Sequence, residues 1–358
     1  MATVYKTLNN NDVVSTRTLL HEAIPLTGTI LSGTYVSSDA STNVKTFGHG
    51  MFQSVYDYPY LSSSANHVMD ISVGYSAKSV MSASTSTQNS KKINIYNQMA
   101  QVLVGHDVTG AIERFDRDGD LAQTTTDKLN ECVFLNFSRL IVKDEIKKGS
   151  FSLTVLTGGT LVGGHDVLAG GDGNYADRKL VISDTGAENN YKVNSPAGEY
   201  GILSSSMRGN VGLIFYQAGV AVLTSSVFHP GTGSEAGHFG EAGFQHISCS
   251  LTGATINANS NYVRSRIANV QFNNTTELNS TVYFCRANHS DFNYSANPTY
   301  LTGSKMVIKN TVLDEPVSYI TTVGLYSSDN ELLAVAKLSE PLKKTPNNEL
   351  TLRVRLDY

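Results

Sequence analysis

The C-terminal run ELTLRVRLDY (349–358) admits few folds. Leu350, Leu352, Val354 and Leu356 fall on one side of an extended chain, and Thr351, Arg353, Arg355 and Asp357 on the other. Strict period-two alternation fits a strand with one face in a core and the other in water or against a partner. The preceding segment repeats the theme. YITTVGLY (319–326) and ELLAVAKL (331–338) flank Ser327-Ser328-Asp329-Asn330, four turn formers in a row. A hairpin is expected over 318–344, closed by a Pro-punctuated basic stop. It carries no side chain of catalytic type and reads as a part of an assembly.

Strand character continues upstream. CVFLNFSRLIV (132–142) and SFSLTVL (150–156) are separated by the charged turn KDEIKKG. Residues 211–224 form two apolar runs pinched at Gln217-Ala218-Gly219, and 281–286 and 305–309 have the same character. One helix stands out. In NSKKINIYNQMAQVLVG, Ser90 is a candidate N-cap, Ile93, Tyr96, Met99, Ala100 and Leu103 recur at helical spacing, and Gly105 marks the stop. A shorter candidate is NSNYVRSRIANV, with Val263 and Ile267 on one face and Arg264 and Arg266 pointing elsewhere. Both stripes read as core packing. Two segments, TGGTLVGGHDVLAGGDGNYAD (157–177) and FHPGTGSEAGHFGEAGFQHISCSLTGATINANS (228–260), are Gly-rich and without period, as expected of loops projecting from sheets.

The expected fold class is therefore mainly β: antiparallel β-sandwich domain or domains, one conspicuous α-helix at about 91–104, and long Gly-rich insertions. The expected organisation is an N-terminal α+β region over 1–130 containing the helix. A β-sandwich-like domain follows over 131–358, with insertions at about 157–190 and 228–260.

Charged residues make up only 16% of the chain, below the roughly 25% usual for globular proteins. Yet 18 Tyr and 13 Phe are spread through it, which excludes a disordered composition. The net charge of −4 offers no basic stripe for a phosphate backbone, so no direct nucleic-acid partner is expected. No run of about 18 apolar residues suggests a membrane span, and no secretory signal is visible. Cys132, Cys249 and Cys285 are odd in number and far apart, and read as unpaired thiols. Asn-x-Ser/Thr triplets at Asn273, Asn274 and Asn279 read as chance products of an Asn-, Ser- and Thr-rich chain.

Candidate chemistry is sparse. FDRDGDL sets Asp116, Asp118 and Asp120 two apart, a spacing that can wrap calcium. Gly119 precedes the third acid where an EF-hand wants it after, and no closing Glu follows, so a charged reverse turn is expected. GGDGNYA matches a dinucleotide fingerprint at Gly171, Gly173 and Ala176, but lacks the strand before and the helix after. His21 in HEAIP lacks the second His of a zinc protease. His49, His165, His229, His238 and His246 sit in loop-like surroundings. The last three share one irregular segment, where a loop-borne metal site would be sought. An enzyme reading starts only from His165 and Asp166. No catalytic, cofactor-binding or metal-binding residue is expected, no cofactor, and no enzymatic activity.

Several long stretches resemble a known family. KLNECVFLNFSRLIVKDEIKKGSFSLTV, NSPAGEYGIL, VGLIFYQAGVAVLTSSVF and PVSYITTVGLYSSDNELLAVAKLSEPLKKTPNNELTLRVRLDY are similar to virion structural proteins of contractile-tailed phages, particularly those of marine cyanobacteria. NNDVVSTRTLLHEAIPLTGTI and HGMFQSVYDYPYLSSSANH share the likeness. IFYQAGVAVLT, DFNYSANPTY and ITTVGLYSSDNELLAVAKL resemble elements shared among tail and baseplate proteins, in which a β domain joins adjoining subunits in a symmetric ring. The resemblance implies a non-enzymatic virion protein of the tail baseplate or neck, made in the host cytoplasm. Its implied partners are other virion proteins and copies of itself, with no membrane. The alternative is a capsid decoration or a receptor- or glycan-binding module, with host-surface contact through QSVYDYPYLSS and the Gly-rich loops. The C-terminal strand is a candidate for pairing with another subunit's sheet.

Overall fold

Strand β5 (Glu131–Phe137) shows how the sequence builds a core. Cys132, Val133, Phe134 and Leu135 are all fully buried, so both faces of the strand are covered. The computed structural model describes residues 5–25, 43–83, 88–120, 127–156, 160–162, 165–167, 179–206, 208–228, 254–264, 266–293, 301–302, 305–306 and 317–358. The chain divides into two compact units, Met1–Leu19 with Glu277–Tyr358, and Leu20–Thr276. It is mainly antiparallel β with one main helix.

In Leu20–Thr276 the strands are the end of β1 (Val13–Pro25), β2 (Val44–Thr46), β3 (Gln53–Tyr56), β4 (His67–Tyr75), β5, β6 (Glu145–Ile146) and β7 (Ser152–Leu156). After β8 (Thr160–Val162) and β9 (His165–Val167) come β10 (Lys179–Ser183), β11 (Tyr200–Ser205), β12 (Gly209–Phe215), β13 (Val220–Thr224) and the start of β14 (Ile267–Ala287). The sheet order is β14-β7-β10-β11-β12-β13-β5-β4-β3-β2, and β8 and β9 form a separate pair. The sheet folds back on itself. Phe137, after β13 in that order, lies 5.9 Å from Phe151, beside β7, and 5.2 Å from Phe272 on β14, ring centre to ring centre. On the other face of β5, Phe134 meets Tyr96 and Phe115, at 6.5 and 5.8 Å. Opposite faces of one strand thus hold two aromatic clusters, which is why the middle of β5, Cys132–Leu135, carries no charged residue.

Helix α1 (Asn89–Leu103) covers the second cluster. Its expected face packs as read, with Tyr96, Ala100 and Leu103 buried and Ile93 and Met99 partly so. Gly105 takes φ +94°, and its N–H reaches the Ala100 carbonyl at 2.9 Å, closing the last turn. The N-cap is Gln88, without a side-chain cap, and not Ser90. The helix comes close because β4 carries Gly74. A Cβ there would lie 2.7 Å from the Lys92 carbonyl oxygen and 2.9 Å from the Tyr96 nitrogen.

Several expectations are corrected. The run 132–142 is not one strand: β5 ends at Phe137, and Arg139–Val142 is a single helical turn. That turn buries Val142 beneath Gly219 and leaves Leu140 exposed, a pattern that a short apolar run cannot reveal. Helix α2 (Ile256–Arg264) is shorter than expected, and Ile267 already belongs to β14. Arg264 and Arg266 are buried at this junction, where Arg266 Nη1 donates to the Phe228 carbonyl and Arg264 Nη2 to Asn261 Oδ1. The expected insertions are partly framework. β10 sits between β7 and β11, and the Ser260 hydroxyl of α2 bonds the Ile71 carbonyl at 3.2 Å. Residues 168–178 and 229–253 of those stretches lie outside the described residues. The expected domain boundary near 130 falls within Leu20–Thr276, between β4 and β5, which pair from Met69↔Phe137 to Tyr75↔Glu131.

Two outcomes follow from α1. Gly74→Ala forces backbone against backbone and is expected to lower stability by about 1–3 kcal/mol in urea unfolding. Lys92 is fully buried with its Nζ 2.7 Å from the Ala254 carbonyl, and burial lowers its pKa to about 8. The unfolded chain therefore holds this proton more tightly between pH about 8 and its ordinary 10.5. Stability is expected to rise with pH across that window. Lys92→Met should remove that rise, which urea midpoints measured at several pH values would show.

Candidate assembly surface

The hairpin expected at 318–344 is present in the unit formed by Met1–Leu19 and Glu277–Tyr358. β17 (Ser318–Tyr326) and β18 (Leu332–Lys344) pair antiparallel, from Ser318↔Lys344 to Tyr326↔Leu332. The turn is built by a residue that composition alone does not single out. Ser327 Oγ accepts from the backbone N–H of Asp329 at 3.2 Å and of Glu331 at 3.1 Å, while Asn330 takes φ +62°. β15 (Leu301–Thr302) and β16 (Lys305–Met306) form a small pair before it, and the expected strand 305–309 is described only to Met306.

The base of the hairpin is locked by a buried cation. Lys344 is fully buried, and its Nζ donates to the His289 carbonyl at 3.2 Å, Asn293 Oδ1 at 2.9 Å and the Thr345 carbonyl at 2.8 Å. Opposite it, Ser318 Oγ donates to the Phe292 carbonyl at 2.7 Å. Near the tip, the ring of Tyr326 lies 4.8 Å from that of Tyr5. Between these points the hairpin is bare. Among the described residues β17 and β18 pair only with each other. Leu333 is 68% exposed, Val335 52% and Tyr319 50%. An isolated two-stranded hairpin is marginal in water at best.

The same unit holds a second open element. Val13–Leu19 of β1 lies beside β14, and β14 pairs on its other side with β19 (Leu350–Asp357). Side chains tie the first pair: Ser15 Oγ and Thr281 Oγ1 are 3.0 Å apart. β19 alternates as its sequence requires, with Val354 buried and Thr351, Arg353, Arg355 and Asp357 exposed. Its pairing edge is taken by β14 within the chain, from Ser280↔Asp357 to Ala287↔Leu350. The outer edge of β1 has no neighbour among the described residues.

The remaining candidates lie in Leu20–Thr276. Asp116, Asp118 and Asp120 come together, with carboxylate oxygens within 4.8 Å of one another. Asp116 is already paired: its Oδ2 is 2.8 Å from Lys128 Nζ, and that fully buried ammonium also contacts Glu113 Oε1 at 3.0 Å. The Asp118 N–H bonds Asp116 Oδ1, the Asp120 N–H bonds Asp118 Oδ1, and Gly119 has φ +70°. This is the geometry of a charged turn, held from outside by Tyr200 Oη on the Gly119 carbonyl at 3.2 Å. His21 Nδ1 contacts Thr275 Oγ1 at 3.1 Å. His165 and Asp166 fall on the short strand β9, while Gly171, Gly173, Ala176, His229, His238, His246 and Cys249 lie outside the described residues. Cys132 and Cys285 are free thiols, the first buried and the second half-buried. No helix among the described residues is long and apolar enough to cross a membrane.

An aromatic patch forms where QSVYDYPYLSS meets β2. The ring centres of Phe47 and His49 are 5.1 Å apart, those of Phe47 and Phe52 4.9 Å, and those of Tyr56 and Tyr60 6.2 Å. Lys45 Nζ stands 5.0 Å from the Phe47 ring centre, and Tyr58 and Leu61 are exposed beside it. Sequence reasoning missed the buried lysines 92, 128 and 344 and the open edge of β1. Only Lys344 gave a signal, as the last residue of a basic stop directly after an apolar strand.

Lys344→Met is expected to loosen the hairpin base, at a cost of about 1–3 kcal/mol for each oxygen left buried without a donor. Amide exchange in β17 and β18 should quicken while β12 and β13, in the other unit, keep their protection.

Comparison of the chain with protein-family models, with curated proteins and with solved structures finds no match in any of the three.

Proposed function

We propose that this chain is a non-enzymatic structural protein of a phage virion that works in the tail baseplate or neck through protein–protein contacts. The observation that carries the reading is the hairpin β17–β18, with exposed apolar side chains on a frame that, among the described residues, pairs with no other strand. Chain motifs similar to those of contractile-tailed phage virion proteins, tail and baseplate elements among them, support it. The mechanism is mechanical. A core buried on both sides of its central strands holds shape, and the arm joins neighbours. The partners are other virion proteins and further copies of the chain, and no catalytic group or cofactor is called for. Electron cryo-microscopy of the intact particle tests this: the chain is expected within a ring at the tail end or neck.

A second reading, a capsid decoration or glycan-binding module, is favoured by the aromatic patch around Phe47, Tyr58 and Tyr60. Aromatic faces stack on sugars, and Asp57, which bonds Asn66, adds polar groups at the rim. Binding on a glycan array that is lost in Tyr58→Ala with Tyr60→Ala, together with a position on the head lattice or a fibre tip, would move the assignment to this reading.

A further inference from the structure

The two edges of the hairpin are not alike. β18 carries Lys337, Glu340, Pro341, Lys343 and Lys344, and it takes every irregularity of the ladder. Leu338–Pro341 lie opposite Thr321, and Leu333 is skipped between the partners of Leu325 and Tyr326. Charges, prolines and bulges are the devices that stop an edge strand from recruiting another chain. β17, SYITTVGLY, has none of them. It holds no charged residue and no proline, and its middle is β-branched at Ile320, Thr321, Thr322 and Val323.

Among the described residues of this unit, the start of β1 comes nearest to that condition. Val13–Leu19, reading VVSTRTL, has no acid and no proline, its one charge is Arg17, ion-paired with Glu277, and four of its seven residues are β-branched. Val14 is 46% exposed, and no strand flanks the outer edge among the described residues. The third edge is guarded: β19 alternates Arg353, Arg355 and Asp357 along its exposed face. Among the described residues, this unit therefore presents two lightly guarded backbone edges of similar length, one on the hairpin arm and one on a sheet.

We propose that β17 of one copy adds as a strand to the Val13–Leu19 edge of a second copy, continuing the sheet β1-β14-β19. This deepens the assembly reading and rests on it. The occupant of each edge is the other edge of the same chain, because each lacks what the other supplies: a row of unpaired N–H and C=O groups with β-branched flanks free of lysine, acid and proline. Donor and acceptor are different surfaces, so the contact is heterologous. It leaves one free arm and one free edge on every dimer, and it either propagates or closes into a ring.

The test uses the full chain and light scattering after size exclusion. Wild type is expected to grow in mass with concentration beyond a dimer. An arm variant, Tyr319→Lys with Thr321→Lys, and an edge variant, Val14→Lys with Thr16→Lys, are each expected to remain monomeric. Mixed in equal amounts they should form a heterodimer and nothing larger, since one usable arm meets one usable edge. Amides of β17 and Val13–Leu19 should slow their exchange only in the mixture. Circular dichroism and unfolding midpoints close to wild type establish that both variants fold. If a lysine pair prevents folding, Thr321→Lys alone and Thr16→Lys alone take their places. A wild type that stays monomeric, variants that associate unchanged, or a mixture that stays monomeric each overturns the proposal. None of these outcomes touches the virion reading, which is tested separately by finding the chain in the particle. A particle without the chain, beside a clean heterodimer, would sink that reading and leave this contact standing.

Discussion

Burial of β5 on both faces is the constraint on which the rest of Leu20–Thr276 depends. A strand usually shows one face to water, and its sequence then alternates. Here Cys132 through Leu135 are all fully buried, and β13 beside them is buried along its whole length. Covering both faces requires two layers. Helix α1 and the segment around Phe115 supply one, and the far limb of the same sheet supplies the other through Phe151 and Phe272. Gly74 sets how near the helix comes, and Gly219 sets how tightly β12 turns into β13, its φ of +68° being the one that L residues avoid.

Two charged groups inside this core, Asp184 and Lys128, are matched in place. Asp184 is fully buried, and burial pushes its carboxyl up, yet it accepts from the Gly149 N–H at 2.7 Å, the Phe151 N–H at 3.0 Å and Tyr216 Oη at 3.0 Å. Lys128 sits between Glu113 and Asp116 in the same manner. A buried charge left without a partner is costly, and removing one member of a buried pair is costlier than never having it. These groups fasten loops to the sheet: Asp184 ties the turn before β7 to the end of β12, and Lys128 ties the Asp116 turn to the strand that follows it. Their perturbed surroundings are thus accounted for by architecture.

The sequence made some of this legible and hid the rest, for identifiable reasons. The hairpin, the β12–β13 turn, the alternation of β19 and the face of α1 all rest on local periodicity and turn chemistry, which act over a few residues. The Arg139–Val142 turn was invisible because the three apolar residues Leu140–Val142 serve a buried helix or a strand equally well. The burial of Arg264 and Arg266 was invisible because polar side chains go inside only where distant backbone, here the Phe228 carbonyl, meets them. Of the candidate site, the arm could be read directly. The open edge of β1 could not, because an edge is a property of sheet order, and sheet order is decided by pairings far apart in sequence. Ser15 and Thr281 are neighbours in space, 3.0 Å apart, and no local pattern announces it.

The scarcity of charge ties these observations together. At 16% charged residues, the chain has few lysines and acids with which to guard its sheet edges. Guarding is nevertheless uneven. In the unit that carries the arm, β18 holds charges and bulges and β19 holds charges, while β17 holds no charge and the start of β1 only Arg17. Random depletion would thin all four strands alike. An unguarded edge on a freely circulating monomer is an aggregation hazard. Two such edges in one unit make physical sense where they are covered in use, and where the arm gains its stability from the sheet that receives it. The arm is then weak alone by necessity. A hairpin that packed well against its own unit would have no free energy left to gain from a neighbour, and Lys344 and Ser318 fix its root without fixing its length.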